Sequence, residues 1–300
     1  MNADEIRRLR VVADHLRLSK NKKNNFRIDE LQSMPVFFDW VDCSVDSSQF
    51  VMYLAGADDG VALKFFWNGH YEPFSLRIWA AAAAYSQKIK IDVGAHTGAY
   101  TLAAMARGAV NVVSFEPHFA NFSRLMVNLK GNRFPVTNAH MLAVGDQDGW
   151  STFNLPTRLD YLSTGGSLVA KGGGIKFPVQ TVRLDRFIGE AHHKDVFAMK
   201  VDVEGLEIQV LRGAENILNK SRPYIFFECI DDSFGTAVQC FLEDQGYHFF
   251  LIDDEQSRLL KVDNIRAERL PSGLLNMSRL NRLAVPKGSD LVALSDFFER

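Results

Sequence analysis

Four short stretches of the 300-residue sequence gather side chains able to do chemistry. Ile91-Asp92-Val93-Gly94-Ala95-His96-Thr97-Gly98 sets an acid just ahead of a glycine turn. Ser114-Phe115-Glu116-Pro117 ends an apolar run in a second acid. Lys200-Val201-Asp202-Val203-Glu204-Gly205 ends another run in a charged group, and Phe226-Phe227-Glu228 repeats the device. Acids at the ends of buried strands are costly unless they are satisfied or used. Together they ask for a ligand that can take several hydrogen-bond acceptors.

The glycine turn narrows the ligand. A strand that turns through glycine into a helix offers unpaired N–H groups and a positive helix pole at one spot. A dinucleotide fingerprint places glycine at three positions there. Counted from Gly94, the second of these is His96 and the third is Ala99, so the fingerprint fails twice. S-adenosylmethionine has no pyrophosphate and does not need that close approach. Asp92 could pair with its ammonium. Glu116, roughly twenty residues beyond the turn, could accept hydrogen bonds from both ribose hydroxyls. In this order and spacing the two acids favour an adenosine-containing ligand.

The later acids suit the reacting end. Strand alternation puts Lys200, Asp202 and, if the strand persists, Glu204 on one side. Methyl transfer from a sulfonium is an in-line displacement, and a hydroxyl acceptor must also lose its proton. Asp202, Glu204 and Glu228 are the candidates for that work. The same acids could instead hold a divalent cation that lowers the acceptor's pKa. The plainer reading has Glu204 charging the start of the next helix and Asp202 paired with Lys200. His96 either touches the ligand or fills the turn. Glu72, before Pro73, either reaches back toward the ligand or marks a helix start. His192 and His193 read as solvated.

These residues need elements to hold them. From 88 onward strands alternate with helices: strands at 88–93, 110–115, 136–144, 196–203, 224–229, 247–252 and 282–285, with helices at 100–107, 119–130, 206–219 and 236–245 between them. Such alternation predicts a doubly wound α/β fold with a mostly parallel sheet. Ahead of it lie an amphipathic helix at 6–16, an exposed run at 20–25, and a hairpin with strands at 50–54 and 61–67 around Ala55-Gly56-Ala57-Asp58-Asp59-Gly60. A helix then runs from Pro73 toward Gln87. Residues 1–49 read as a helical cap or linker and 50–300 as the catalytic domain. A glycine-rich insertion at about 156–176, carrying Gly165, Gly166, Gly172, Gly173 and Gly174, reads as a lid or substrate loop.

Composition sets outer bounds. A net charge of −2 and a pI near 6.5 give no general pull toward nucleic acid or an anionic membrane. Cys43, Cys229 and Cys240 are too scattered for a disulfide framework or zinc site, and Cys229 and Cys240 read as buried thiols. The N-terminus lacks a signal-peptide core, and no apolar run reaches membrane-spanning length. The expectation is a cytoplasmic protein with a small-molecule or glycan partner, without nucleic acid, and with a homo-oligomer allowed.

At these residues the sequence resembles the FkbM-like family of S-adenosylmethionine-dependent methyltransferases, over about 71–286. The resemblance rests on Tyr71-Glu72-Pro73, the glycine turn, Phe115-Glu116-Pro117 with Asn128, Leu142-Ala143-Val144-Gly145-Asp146, Leu184-Asp185 and Lys200-Val201-Asp202-Val203-Glu204-Gly205. It implies a Rossmann-like, class I seven-stranded sheet with the final strand antiparallel. It also implies O-methylation of a sugar, glycan or natural-product hydroxyl, with S-adenosylhomocysteine as product. Carried over by position, Asp92, Gly94, Ala95 and Gly98 line the methionine end, Glu116 holds the ribose, Ala143 and Val144 flank the adenine, and Asp202 and Glu204 face the reacting centre. His96 stands where the family more often has Asn. Two other readings are a NAD-dependent oxidoreductase on a similar sheet and a non-catalytic scaffold of the same fold.

Overall fold

The computed structural model describes residues 1–19, 26–155, 162, 166–168, 174–289, 294 and 297. The run at 20–25 and most of the glycine-rich segment lie outside the described residues. The chain opens with helices α1 (Ala3–Ser19) and α2 (Ile28–Gln32), strands β1 (Phe37–Val45) and β2 (Ser48–Gly56), and helices α3 (Gly60–Asn68) and α4 (Pro73–Tyr85). It continues with β3 (Ile89–Val93), α5 (Ala99–Ala106), β4 (Val112–Phe115), α6 (Phe119–Gly131), β5 (Ala139–His140), β6 (Ala143–Val144), β7 (Gly149–Leu155), β8 (Ile175–Val182) and α7 (Leu184–Ile188). Then come β9 (Val196–Val201), α8 (Glu207–Arg212), α9 (Glu215–Ser221), β10 (Tyr224–Glu228), α10 (Asp232–Asp244), β11 (Tyr247–Asp253), β12 (Arg258–Val262) and β13 (Asn281–Pro286).

The main sheet has the order β12-β11-β13-β10-β9-β3-β4-β5. Neighbours from β5 to β10 run parallel, and β13 lies antiparallel between β10 and β11. The doubly wound sheet with a reversed final strand is therefore present, widened by one edge strand, β12, which pairs antiparallel with β11. From β3 the chain winds outward through β4 and β5, then returns to β9 on the other side of β3. A crevice opens at such a switch point, beyond the carboxyl ends of the strands. Both sheet faces are covered, so the central strands are nearly all apolar; in β9, Val196, Ala198, Met199 and Val201 are buried.

Several local expectations change. The segment at 61–67 is helix, not strand. Asp59 caps it, its Oδ1 accepting from Val61 N at 2.9 Å and Ala62 N at 3.2 Å, and Gly69 closes it at φ 83°. Its side chains are buried on almost every side, and a run without a polar face has no period to read. The hairpin lies one element earlier, as β1 and β2 joined through Asp46 and Ser47. The strand expected at 136–144 divides into β5 and β6, which join different sheets; β6 pairs with β8, and β8 with β7. The helix expected at 206–219 breaks at Gly213, where a Cβ would stand 2.0 Å from the Gly145 carbonyl oxygen. Cys229 is buried as expected, but Cys240 is exposed. His192 is exposed, whereas His193 is buried with Nε2 2.7 Å from the Asp185 carbonyl. Among the described residues no helix is long and apolar enough to cross a membrane.

The N-terminal elements are fastened to the α/β unit through α6. Arg124, Asn128 and Asn132 stand four residues apart and share one helix face. Arg124 Nη1 donates to the Tyr53 carbonyl at 2.8 Å and Nη2 to Asp58 Oδ2 at 2.7 Å. Asn128 Oδ1 accepts from Tyr53 N at 2.8 Å. Asn132 accepts from Val51 N at 2.8 Å and donates to the Val51 carbonyl at 2.7 Å. Asn128 also donates to the Thr97 carbonyl at 2.8 Å, which ties the hairpin to the glycine turn. An unpaired buried polar group costs about 1–3 kcal/mol. Asn128→Ala strands two such groups, so urea denaturation should show a loss of about 2–4 kcal/mol; a loss under about 0.5 kcal/mol would remove Asn128 from this joint.

Candidate active site

The glycine turn is shaped first by the protein itself. Gly94 N and Ala95 N both donate to the Phe115 carbonyl at 2.9 Å, folding the chain over the end of β4. Gly94 sits at φ 80°, and a Cβ there would lie 1.8 Å from the Asp202 carbonyl oxygen. Glycine is thus required by the meeting of β3 with β9. Gly98, at φ 102°, opens α5; a Cβ there would stand 2.6 Å from Leu125 Cδ1. His96 takes a left-handed φ of 51°. Its ring nitrogens lie 3.1 Å from Thr97 Oγ1 and 3.1 Å from the Leu162 carbonyl, so the turn's histidine touches the described part of the glycine-rich segment.

Asp92, at the end of β3, is wholly buried. Thr101 Oγ1 donates to its Oδ2 at 2.6 Å, while Oδ1 has no protein partner. Burial lifts its carboxyl above the usual range, against the pull of Lys200 and the Thr101 hydrogen bond. Glu116 ends β4 with both oxygens occupied. Oε2 accepts from His96 N at 2.9 Å, and Oε1 accepts from His118 N at 2.9 Å and Asn121 Nδ2 at 3.5 Å. Burial raises this carboxyl too, with His96 and the N–H donors acting the other way. A carboxylate has about four lone-pair sites, so Glu116 keeps capacity for a ligand beyond its role as a clasp.

The opposite wall is a polar network. Lys200 Nζ donates to Asp202 Oδ2 at 2.7 Å and stands 4.4 Å from the centre of the Tyr100 ring. Burial works against the Lys200 charge, but Asp202 and Asp92 outweigh it and its pKa is raised. Tyr100 OH donates to Glu72 Oε2 at 2.5 Å, and Asn281 Nδ2 donates to the same oxygen at 3.0 Å. Glu72 holds a left-handed φ of 37°. Glu204 holds one of 56°, and its carbonyl accepts from Ser167 Oγ at 3.3 Å. The carboxylate that caps the following turn is Glu207, accepting from Val203 N and Gly205 N at 3.2 Å. Glu204 itself lines the cavity. Behind Glu72, Asp254 caps α4: Oδ1 accepts from Phe74 N at 2.8 Å and Ser75 N at 2.9 Å, and Oδ2 accepts from Ser75 Oγ at 2.7 Å.

These walls enclose a cavity of about 250 Å³. Every residue assigned to the cofactor or to the reaction lines it except Gly98, which stands behind it as a packing position. Ala143 and Val144 form part of the wall beside Leu142 and Glu116. The described residues 166–168 reach the cavity as well. Sequence reasoning missed Tyr100, Lys64, Ile28, Met277 and Leu280, which also line it. Lys200 had entered only as a plain partner for Asp202, although a lysine inside an apolar strand is itself a signal. Among the described residues no group of three or more His, Cys, Asp or Glu is arranged to hold a metal ion.

The arrangement fits a sulfonium nucleoside. The unpartnered Oδ1 of Asp92 can accept from an ammonium, the sharp bend at Gly94 leaves the crevice open, and Glu116 can accept from a diol.

Two outcomes test this geometry. Gly94→Ala forces either the β3–β9 joint or the turn apart. It should lower stability by more than about 3 kcal/mol in urea denaturation and abolish adenosylhomocysteine binding; a stable, binding-competent alanine variant refutes the joint. Burial, then Glu72, push the Asp254 carboxyl up to about 7 from an unfolded value of 3.8. The folded chain therefore holds this proton more tightly. The associated stability is full below about pH 4 and is lost as pH rises through about 7. Asp254→Asn should flatten the fall in urea midpoint between about pH 4 and 7; an unchanged slope assigns that fall to other groups.

Comparison with known proteins bears on the family. The model of the methyltransferase FkbM domain matches residues 92–249, from Asp92 into β11. The chain is 27% identical over 200 residues to Methyltransferase 1 of Beauveria bassiana, covering 59% of this chain and 79% of that protein. Among solved structures, it is similar to a methyltransferase FkbM from Methylobacillus flagellatus, with 16% identity and a TM-score of 0.41. That match covers 75% of this chain but only 53%, about half, of the other. It is also similar to a SAM-dependent methyltransferase from Agrobacterium tumefaciens, with 11% identity and a TM-score of 0.43, over 84% of this chain and 71% of the other. These two likenesses add nothing on substrate or mechanism. The domain match spans more than half of the sequence, and the chain belongs to the FkbM family of S-adenosylmethionine-dependent methyltransferases.

Proposed function

We propose that the protein transfers the methyl group to a hydroxyl of a sugar, glycan or natural-product acceptor. The observation that carries this reading is the division of acids within one cavity. Asp92, with one oxygen unpartnered, and Glu116 lie at the tips of β3 and β4, while Asp202 and Glu204 lie beyond β9. The first pair suits the ammonium and ribose of the cofactor, and the second suits an acceptor that must give up a proton.

When bound, S-adenosylmethionine supplies a methyl group whose bond to sulfur breaks as the bond to oxygen forms. The residues act around that exchange. Asp92 and Glu116 fix the donor's two ends. Asp202, held by Lys200, and Glu204, in the cavity wall, orient the acceptor hydroxyl and take its proton. Tyr71 and Tyr100 wall the site beside Glu72, and such walls keep competing water from the methyl group. Residues 1–49, with the glycine-rich insertion, are proposed to shape the acceptor side.

Calorimetry with adenosylhomocysteine and with NAD tests the cofactor assignment: binding of the first and none of the second is expected. Glu116→Gln is a better probe than alanine, because alanine also strands His96 N and His118 N. It should weaken adenosylhomocysteine binding about tenfold; unchanged affinity removes the ribose role. Glu204→Gln should lower turnover by about a hundredfold with affinity for adenosylhomocysteine nearly unchanged. Label transfer to methyl glycosides, polyketides, simple alcohols and simple amines identifies the acceptor, and transfer to amines alone sinks the hydroxyl reading.

A further inference from the structure

Glu228 ends β10 in the wall of the cavity. The residue keeps some exposure through that opening, but its Oε2 is buried without a hydrogen-bond partner. Three carboxylates share that wall with it, Asp202 beyond β9, Glu204 in the next turn and Glu72 ahead of α4, and a fourth, Glu207, acts on it from after that turn. Two cations sit on the strands flanking β10, Lys200 on β9 and Arg282 on β13. Both are committed elsewhere. Lys200 donates to Asp202 at 2.7 Å. Arg282 donates to the carbonyls of Arg279, Asn281 and Arg266. Asn281, the register partner of Glu228, turns its amide to Glu72 and Ser75. Burial first, then Asp202, Glu204, Glu72 and Glu207, hold the Glu228 carboxyl well above the usual range. A further negative charge in this cluster is disfavoured both by desolvation and by its neighbours. A protonated acid avoids both costs and presents an O–H.

We infer that Glu228 is an uncharged carboxylic acid in the working protein and donates a hydrogen bond to a second oxygen of the acceptor, beside the one that is methylated. The acceptor half rests on the hydroxyl methylation proposed above; the protonation state rests on the cluster alone. The site then offers carboxylates that accept and one acid that gives. That pattern recognises adjacent oxygens, as in a vicinal diol, a hydroxy ether or a hydroxy acid. An isolated hydroxyl would leave the Glu228 donor unmatched. The same reasoning removes Glu228 from the candidates for general base.

Two measurements test this. Wild-type protein and Glu228→Gln, labelled with carbon-13 at the glutamate carboxyls, are compared by NMR from about pH 6 to about pH 9. One resonance absent from the variant should lie at the protonated position at neutral pH and move only as pH rises further. A resonance at the ionised position at neutral pH overturns the inference, as does one that magnesium chloride shifts there. Separately, labelled methyl transfer is measured to trans-1,2-cyclohexanediol and to cyclohexanol. The wild type should prefer the diol by about tenfold, Glu228→Gln should keep a preference, and Glu228→Ala should lose it. Equal preference in wild type and Glu228→Ala overturns the donor role. If adenosylhomocysteine binds but neither alcohol is methylated, the acceptor half is lost, and the NMR result still decides the protonation of Glu228.

Discussion

The site depends on one close approach between backbones. Asp202 N donates to the Val93 carbonyl at 3.0 Å, and the Asp202 carbonyl occupies the space a side chain on Gly94 would need. Two motifs far apart in the chain are thereby brought to the same spot and made to turn away from it in different directions. The parallel order β4-β3-β9-β10 then sets four strand exits side by side. Each exit delivers an acid to the crevice: Glu116, Asp92, Asp202 and Glu228. Lys200 is the counterweight inside this ring, shared between Asp202 and Asp92 and shielded by the Tyr100 ring.

A second layer keeps the ring rigid. Asp254, Ser75, Asn281, Glu72 and Tyr100 are joined in sequence by hydrogen bonds of 2.5–3.1 Å. The connection runs from the turn after β11 through the start of α4 to the cavity wall. Networks of this kind are stable only when nearly every member is satisfied. The left-handed backbone of Glu72, sterically unfavourable for such a residue, is held in place by these bonds.

What was legible in the sequence follows from this construction. The parallel strands could be read because each is a short apolar run stopped by turn residues or acids. The acids could be read because charge at the end of such a run needs a reason. The stretch at 61–67 could not be read as helix, because burial on every side erased its polar face. That Glu207 and not Glu204 caps the turn after β9 was not legible, because both acids stand at the start of the same helix. Ile28, Met277 and Leu280 reach the cavity from chain segments far from any motif, and no local pattern marks such arrivals. The resemblance set Gly98 at the methionine end, but it packs against Leu125 and does not form part of the cavity wall.

The row of Arg124, Asn128 and Asn132 has a further effect on β2. A two-stranded ribbon ordinarily exposes an outer rail of N–H and C=O groups on which another chain can template itself. Here helix side chains take up that rail at Val51 and Tyr53. An incoming strand finds those positions already filled, so growth of this ribbon into a larger cross-molecular sheet is blocked along that side.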